Sequence, residues 1–183
     1  MPFEPFLKKL AYLGFGEDSI AWFRSYLYGR EQYCEVHGTA SSIMKVICGI
    51  PQGTVLGPLV FLLYTAEVAA NISSDMLAYA DDTTVITIGD NLEDIRQKAQ
   101  ADYNTLTDCY YQSRLTLNGG KCKYMLLGCN DTDTIDLEIQ RNKIERVKSY
   151  KLVGTLIDDQ LTWKPNVENI RKKLQGVYYL LNK

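Results

Sequence analysis

Two aspartates stand side by side, Asp81 and Asp82, between the apolar runs 76–80 and 83–88. This feature constrains the fold most. Adjacent carboxylates repel unless a cation or a proton lies between them, and an apolar sheet cannot absorb them. The sequence therefore predicts two strands meeting in a hairpin, with both aspartates exposed at its tip and their carboxylates turned to one side of the sheet. Mg²⁺ suits such a pair, because it is hard, prefers carboxylate oxygens and leaves positions open for phosphate oxygens. Asp is also an ordinary turn residue, so the pair alone does not decide between a metal site and a simple turn.

A second feature lies upstream. Gly49-Ile50-Pro51-Gln52-Gly53 breaks the chain just before an apolar run predicted to be a helix over residues 55–70. Pro51 and Gly53 bend the backbone, and amides left open at the helix start suit phosphate or sugar contacts. The helix is too apolar for a surface position and is expected to pack across the back of the sheet.

The rest reads as helices and short strands. Helices are predicted over 6–13 and 18–28, and a hairpin over 32–37 and 43–48 with its turn at 38–42. A long amphipathic helix follows from Leu92, Ile95, Ala99, Tyr103, Leu106 and Tyr110, which step by three or four. After a turn at 118–120 come strands over 123–127, 135–139, 143–147 and 151–157. A last helix uses Val167, Ile170, Leu174, Val177 and Leu181. The expected class is α+β, an antiparallel sheet with helices on one face. Tyr103, Tyr110 and Tyr111 could stack on bases or pack in the core.

Charge is unevenly placed. Residues 1–140 hold 10 Lys and Arg against 18 Asp and Glu, whereas residues 141–183 hold 10 against 4. A nucleic-acid grip needs a basic surface, and only the last quarter offers one. The five cysteines show no CxxC pair, so neither a zinc site nor a disulfide framework is indicated, and reduced, mostly buried thiols are expected. His37 has no evident partner for triad or metal chemistry and reads as a strand surface residue. No signal peptide or membrane span is read, and an intracellular setting, cytoplasmic or nuclear, is expected.

Taken together, Gly49-Ile50-Pro51-Gln52-Gly53-Thr54-Val55-Leu56-Gly57-Pro58 and the later Tyr79-Ala80-Asp81-Asp82 resemble the reverse transcriptase domain of LINE and jockey-like non-LTR retrotransposons. Leu7-Lys8-Lys9-Leu10, Trp22-Phe23-Arg24-Ser25-Tyr26-Leu27 with Arg30, Leu117-Asn118-Gly119-Gly120-Lys121-Cys122, Tyr150-Lys151-Leu152-Val153-Gly154 and Leu161-Thr162-Trp163 extend the likeness along nearly the whole chain. Glu67 and Leu152-Val153 depart from the family's pattern.

The resemblance implies RNA-directed DNA polymerisation by two-metal nucleotidyl transfer, with Mg²⁺ or Mn²⁺ as cofactor and RNA template, DNA primer and dNTP as partners. It implies Asp81 and Asp82 as catalytic metal ligands, Tyr79 near the primer terminus, and Pro51, Gln52 and Gly53 at the template and nucleotide. Lys121 would neutralise the leaving group, or serve as an exposed structural lysine. Tyr150, Leu152 and Gly154 would form the primer grip. On this reading residues 1–157 are a partial polymerase palm and residues 158–183 the start of a thumb. The family's first catalytic aspartate precedes the Leu7-Lys8-Lys9-Leu10 helix, and only five residues stand before Phe6 here. The palm is therefore expected to lack that aspartate and the fingers, and to be inactive alone. The alternative is a non-catalytic retroelement remnant that at most binds RNA through residues 141–183.

Overall fold

The structure is a computed structural model that describes residues 1–130, 132–139 and 142–181. It is a mixed helix-and-strand fold: α1 (Phe3–Tyr12), α2 (Glu17–Leu27), β1 (Glu31–Gln32), β2 (Glu35–Val36), β3 (Thr39–Ala40), β4 (Met44–Lys45), α3 (Leu56–Ala70), β5 (Asp75–Tyr79), β6 (Asp82–Ile86), α4 (Leu92–Gln112), β7 (Lys123–Tyr124), β8 (Glu138–Ile139), β9 (Asn142–Lys143), β10 (Glu145–Arg146), β11 (Ser149–Leu152), β12 (Thr155–Asp158) and α5 (Lys164–Leu181). The chain divides into two compact units, residues 1–84 with 104–117, and residues 85–103 with 118–183.

The first unit is held by a helical core. Phe3, Phe6, Leu7 and Leu10 recur at helical spacing along α1 and meet Phe23 and Leu27 of α2 and Val60 and Tyr64 of α3. Phe6 meets Phe23 edge-on at 5.6 Å, a favourable arrangement for aromatic rings. Polar ties fix α3. The Lys9 ammonium donates to the Tyr64 carbonyl at 2.6 Å and pairs with Glu67 at 3.0 Å, while the Tyr64 hydroxyl donates to the Ser113 carbonyl at 2.6 Å. Glu67, a departure from the family pattern, thus has a structural partner.

The second unit has its own core of Ala99, Leu126, Ile135, Leu137, Ile139 and Ile144, with Tyr103 packed against it. The first turn of α4 is capped by Asn91, whose side-chain oxygen accepts from the Asp94 amide at 2.9 Å.

Several expectations need correction. The antiparallel sheet is, among the described residues, a set of six two-stranded pieces, and the β7–β10 pair is parallel. Most of these strands have only two residues, below the usual length of sheet strands. Accordingly, α3 does not back a broad sheet: Val60 and Tyr64 face the α1–α2 core, while Leu59 and Leu62 stay about half exposed. The predicted strand over 151–157 is instead the hairpin β11–β12, because Val153 and Gly154 both take positive φ, 44° and 89°. That is the geometry of the tightest hairpin turn. His37 and Gly38 do the same between β2 and β3, so the first hairpin turns there and not over 38–42, and His37 is a turn residue. The cysteines are free, but Cys34 and Cys48 are exposed and the other three only partly covered. Tyr110 is buried and Tyr111 exposed. Among the described residues no helix is long and apolar enough to cross a membrane.

Candidate metal and nucleotide site

β5 and β6 pair as a hairpin joined by Ala80 and Asp81. A two-residue connection must reverse the chain with the right-handed twist of its strands, which requires positive φ at the first position. Ala80 supplies it at φ 52°, where glycine would be unstrained. Asp81 thereby occupies the tip and Asp82 opens β6, and both are exposed. The expected tip position is found. Tyr79 ends β5 and is 64% exposed. Just behind its tip the hairpin is tied to α4, since the Thr83 and Tyr110 hydroxyls lie 3.1 Å apart.

Pro51, Gln52 and Gly53 lie on the turn that feeds α3. Gly53 takes φ 75°, and the Thr54 hydroxyl donates to the Pro51 carbonyl at 2.9 Å. The Tyr26 hydroxyl donates in turn to the Thr54 oxygen at 3.0 Å, so α2 braces the loop. This brace links the Ser-Tyr-Leu helix to the Pro-Gln-Gly turn and was not anticipated from the sequence. No side chain caps α3 and no acidic residue stands in its first turn.

The remaining candidates belong to the second unit. Lys121 closes a 3₁₀ turn over Gly119–Lys121 and is exposed. Tyr150 and Leu152 lie on β11 and Gly154 in the tight turn after it.

Asp158 was missed as an organising residue. Its carboxylate accepts from the Thr162 amide at 3.0 Å, the Thr162 hydroxyl at 2.9 Å and the Trp163 amide at 2.9 Å. These bonds, the Thr162 amide first, hold its pKa below the ordinary carboxylate value. The clamp stabilises a loop in which Leu161 and Trp163 both take positive φ before α5 begins. An Asp followed four positions later by Thr, just ahead of a helix, is the signal that could have revealed it.

Two adjacent, exposed carboxylates offer hard oxygens and open positions, as Mg²⁺ requires when substrate phosphates complete its shell. Among the described residues no group of three His, Cys, Asp or Glu converges on a common point. Asp81 and Asp82 fit one side of such a site. Glu4 is engaged elsewhere: its carboxylate accepts from the Tyr28 hydroxyl at 2.7 Å and from Arg24 at 2.7 Å, which lower its pKa in that order.

The mixed fold and the exposed carboxylate pair do not name a class by themselves; sequence comparison assigns the family. The model described as reverse transcriptase (RNA-dependent DNA polymerase) matches residues 1–169, and the chain belongs to that family. It is similar to the RNA-directed DNA polymerase from mobile element jockey of Drosophila funebris, 24% identical over 81% of this chain and 17% of that protein. It is also similar to the Drosophila melanogaster protein named "Probable RNA-directed DNA polymerase from transposon X-element", 26% identical over 87% of this chain and 18% of that protein. The chain is thus a reverse transcriptase domain homologous to non-LTR retrotransposon polymerases, and it spans less than a fifth of the length of these relatives.

Proposed function

We propose that this chain is a partial palm of an RNA-directed DNA polymerase, with residues 1–157 as palm and 158–183 as the start of a thumb. The observation that carries the reading is the exposure of Asp81 and Asp82 at the tip of β5–β6. Asp81 would be a direct metal ligand, with Asp82 beside it. Mg²⁺ or Mn²⁺, when bound, would lower the pKa of a primer 3′-hydroxyl and neutralise charge on the leaving pyrophosphate. Tyr79 would bear on the primer terminus. The braced Pro51-Gln52-Gly53 turn would orient template and incoming dNTP. Lys121 would hold a cation toward the leaving group, and Tyr150, Leu152 and Gly154 would grip the primer.

One pair of carboxylates supplies one side of a two-metal site. Groups that act as a unit lose orders of magnitude when one is missing. We therefore expect no template-directed synthesis from the chain alone. The test is primer extension on poly(A) with Mg²⁺ or Mn²⁺, using this chain, its Asp81→Asn form, and a fusion to an upstream segment that carries a further aspartate strand and fingers. Activity in the fusion that disappears with Asp81→Asn supports the reading. Activity in the fusion that survives Asp81→Asn removes Asp81 from the site. A second reading, an RNA-binding remnant, is favoured by Arg171, Lys172 and Lys173, exposed together on α5.

A further inference from the structure

A two-stranded hairpin is at best marginally stable in water on its own. The β5–β6 hairpin turns through Ala80 at φ 52° and leaves Leu77, Tyr79 and Ile86 exposed, so neither its turn nor its packing fixes it firmly. If its tip is to keep two carboxylates in one place, a contact behind the tip must hold it.

Tyr110 of α4 makes such a contact. It is only 8% exposed, although its ring ends in a hydroxyl that needs a partner once it leaves water. That partner is the Thr83 hydroxyl at 3.1 Å, and either group can donate. Thr83 follows Asp82 directly on β6.

Tyr110 is itself anchored. The Leu115 amide donates to the Tyr110 carbonyl at 2.8 Å, and Leu115 packs against the core of Phe6 and Leu10. The Tyr64 hydroxyl donates to the Ser113 carbonyl at 2.6 Å, which ties the same end of α4 to α3. Tyr110 is thus held through its backbone by the helical core and holds Thr83 through its side chain. All of these residues belong to the first unit.

The contact also selects a face. Successive residues of a strand project from opposite faces. With Thr83 bonded toward α4, Asp82 projects from the other face, where it is exposed. A slip of one residue would exchange the two and carry a carboxylate toward a buried ring, which is costly.

We infer that Tyr110 is a positioning residue for the Asp81-Asp82 tip. Through the Thr83 hydroxyl it fixes the register of β6, and so the side on which Asp82 meets a divalent ion. The role toward the ion rests on the metal reading proposed above; the hold on the hairpin does not. A ring so deeply buried has no face to offer a base, which removes stacking from the two roles its sequence position left open.

The test uses the full chain, isotopically labelled, with Tyr110→Phe, Thr83→Val, their double variant and Thr83→Ser. Phe keeps the ring and Val keeps the branched shape, so each removes a hydroxyl and little else. Loss of one hydrogen bond corresponds to about a threefold to tenfold change in an opening equilibrium. Amide exchange over residues 76–86 is expected to quicken by that factor in either single variant, while Thr83→Ser stays near the parent. The double variant should exchange no faster than the singles, because both remove the same bond. Amides of the α1–α2–α3 core should keep the parent's rates, which a general loosening would not allow. Mn²⁺ affinity at the tip, read by broadening of residues 79–83, should fall in the single variants and return in Thr83→Ser.

Unchanged exchange over residues 76–86, additive effects in the double variant, or equal acceleration in hairpin and core would overturn the inference. Parent-like Mn²⁺ affinity in Tyr110→Phe would overturn the role toward the ion. A parent chain that shows no broadening at the tip would instead remove the metal reading, and the exchange rates would still decide whether Tyr110 holds the hairpin.

Discussion

The α1–α2–α3 core and the β5–β6 hairpin are built on opposite terms. The core closes Phe6, Leu10, Leu27 and Val60 away from solvent altogether. The hairpin leaves Leu77, Tyr79, Asp81, Asp82 and Ile86 exposed, and it turns through a strained alanine. The contrast teaches that stability and chemistry are carried by different residues. The core has no carboxylate to offer, and the carboxylates at the tip have little packing to lose. Substitutions should therefore separate cleanly into those that unfold the chain and those that silence the tip.

The largest effect is expected in the core. Leu10→Ala removes a fully buried side chain, and partial collapse of the surroundings leaves a cavity, so the loss should be about 2–5 kcal/mol by urea unfolding. A loss near that of an exposed substitution would break the comparison.

At the tip, Ala80→Gly should raise stability by about 0.5–1 kcal/mol, because relief at the left-handed position outweighs the extra freedom of unfolded glycine. Asp81→Asn should change stability by less than about 0.5 kcal/mol, since both forms stay in water. Urea midpoints check both, and a large destabilisation by Asp81→Asn would show that the tip is structural after all.

These two regions also differ in how far the sequence exposed them. The carboxylate hairpin was legible because an adjacent Asp pair between apolar runs has few places to go, and the helices were legible from their spacing. The hairpin turns at His37-Gly38 and Val153-Gly154 were not, because a positive φ at His or Val opposes local preference and is imposed by strand pairing. The packing of α3 was misjudged for a related reason. Its apolar residues run all round the helix, so periodicity could not reveal that Val60 and Tyr64 would face α1 and α2. The Tyr26–Thr54 brace joins residues 28 positions apart, and no local pattern announces it. The family came from the conjunction of motifs; residue roles at the site rest on that likeness plus exposure at the tip.

A smaller effect should appear in acid, at the surface of α4. Glu93 accepts from Arg96 and then Gln97, which lower its pKa to about 2. A depressed carboxylate contributes above its ordinary titration range, and that contribution fades as pH falls from about 4.5 toward 2. Glu93→Gln should flatten this part of the melting-temperature profile slightly. An unchanged profile would remove the Arg96 pair from the account.

The central claim is that Asp81 and Asp82 form one side of a divalent-metal site. Titration of the isotopically labelled chain with Mn²⁺, read as paramagnetic broadening of amide signals, tests it most directly. The account predicts broadening centred on residues 79–83 that disappears in Asp81→Asn/Asp82→Asn, while the resonances of the α1–α2–α3 core keep their positions. Broadening centred elsewhere, or unchanged in the double variant, would contradict it.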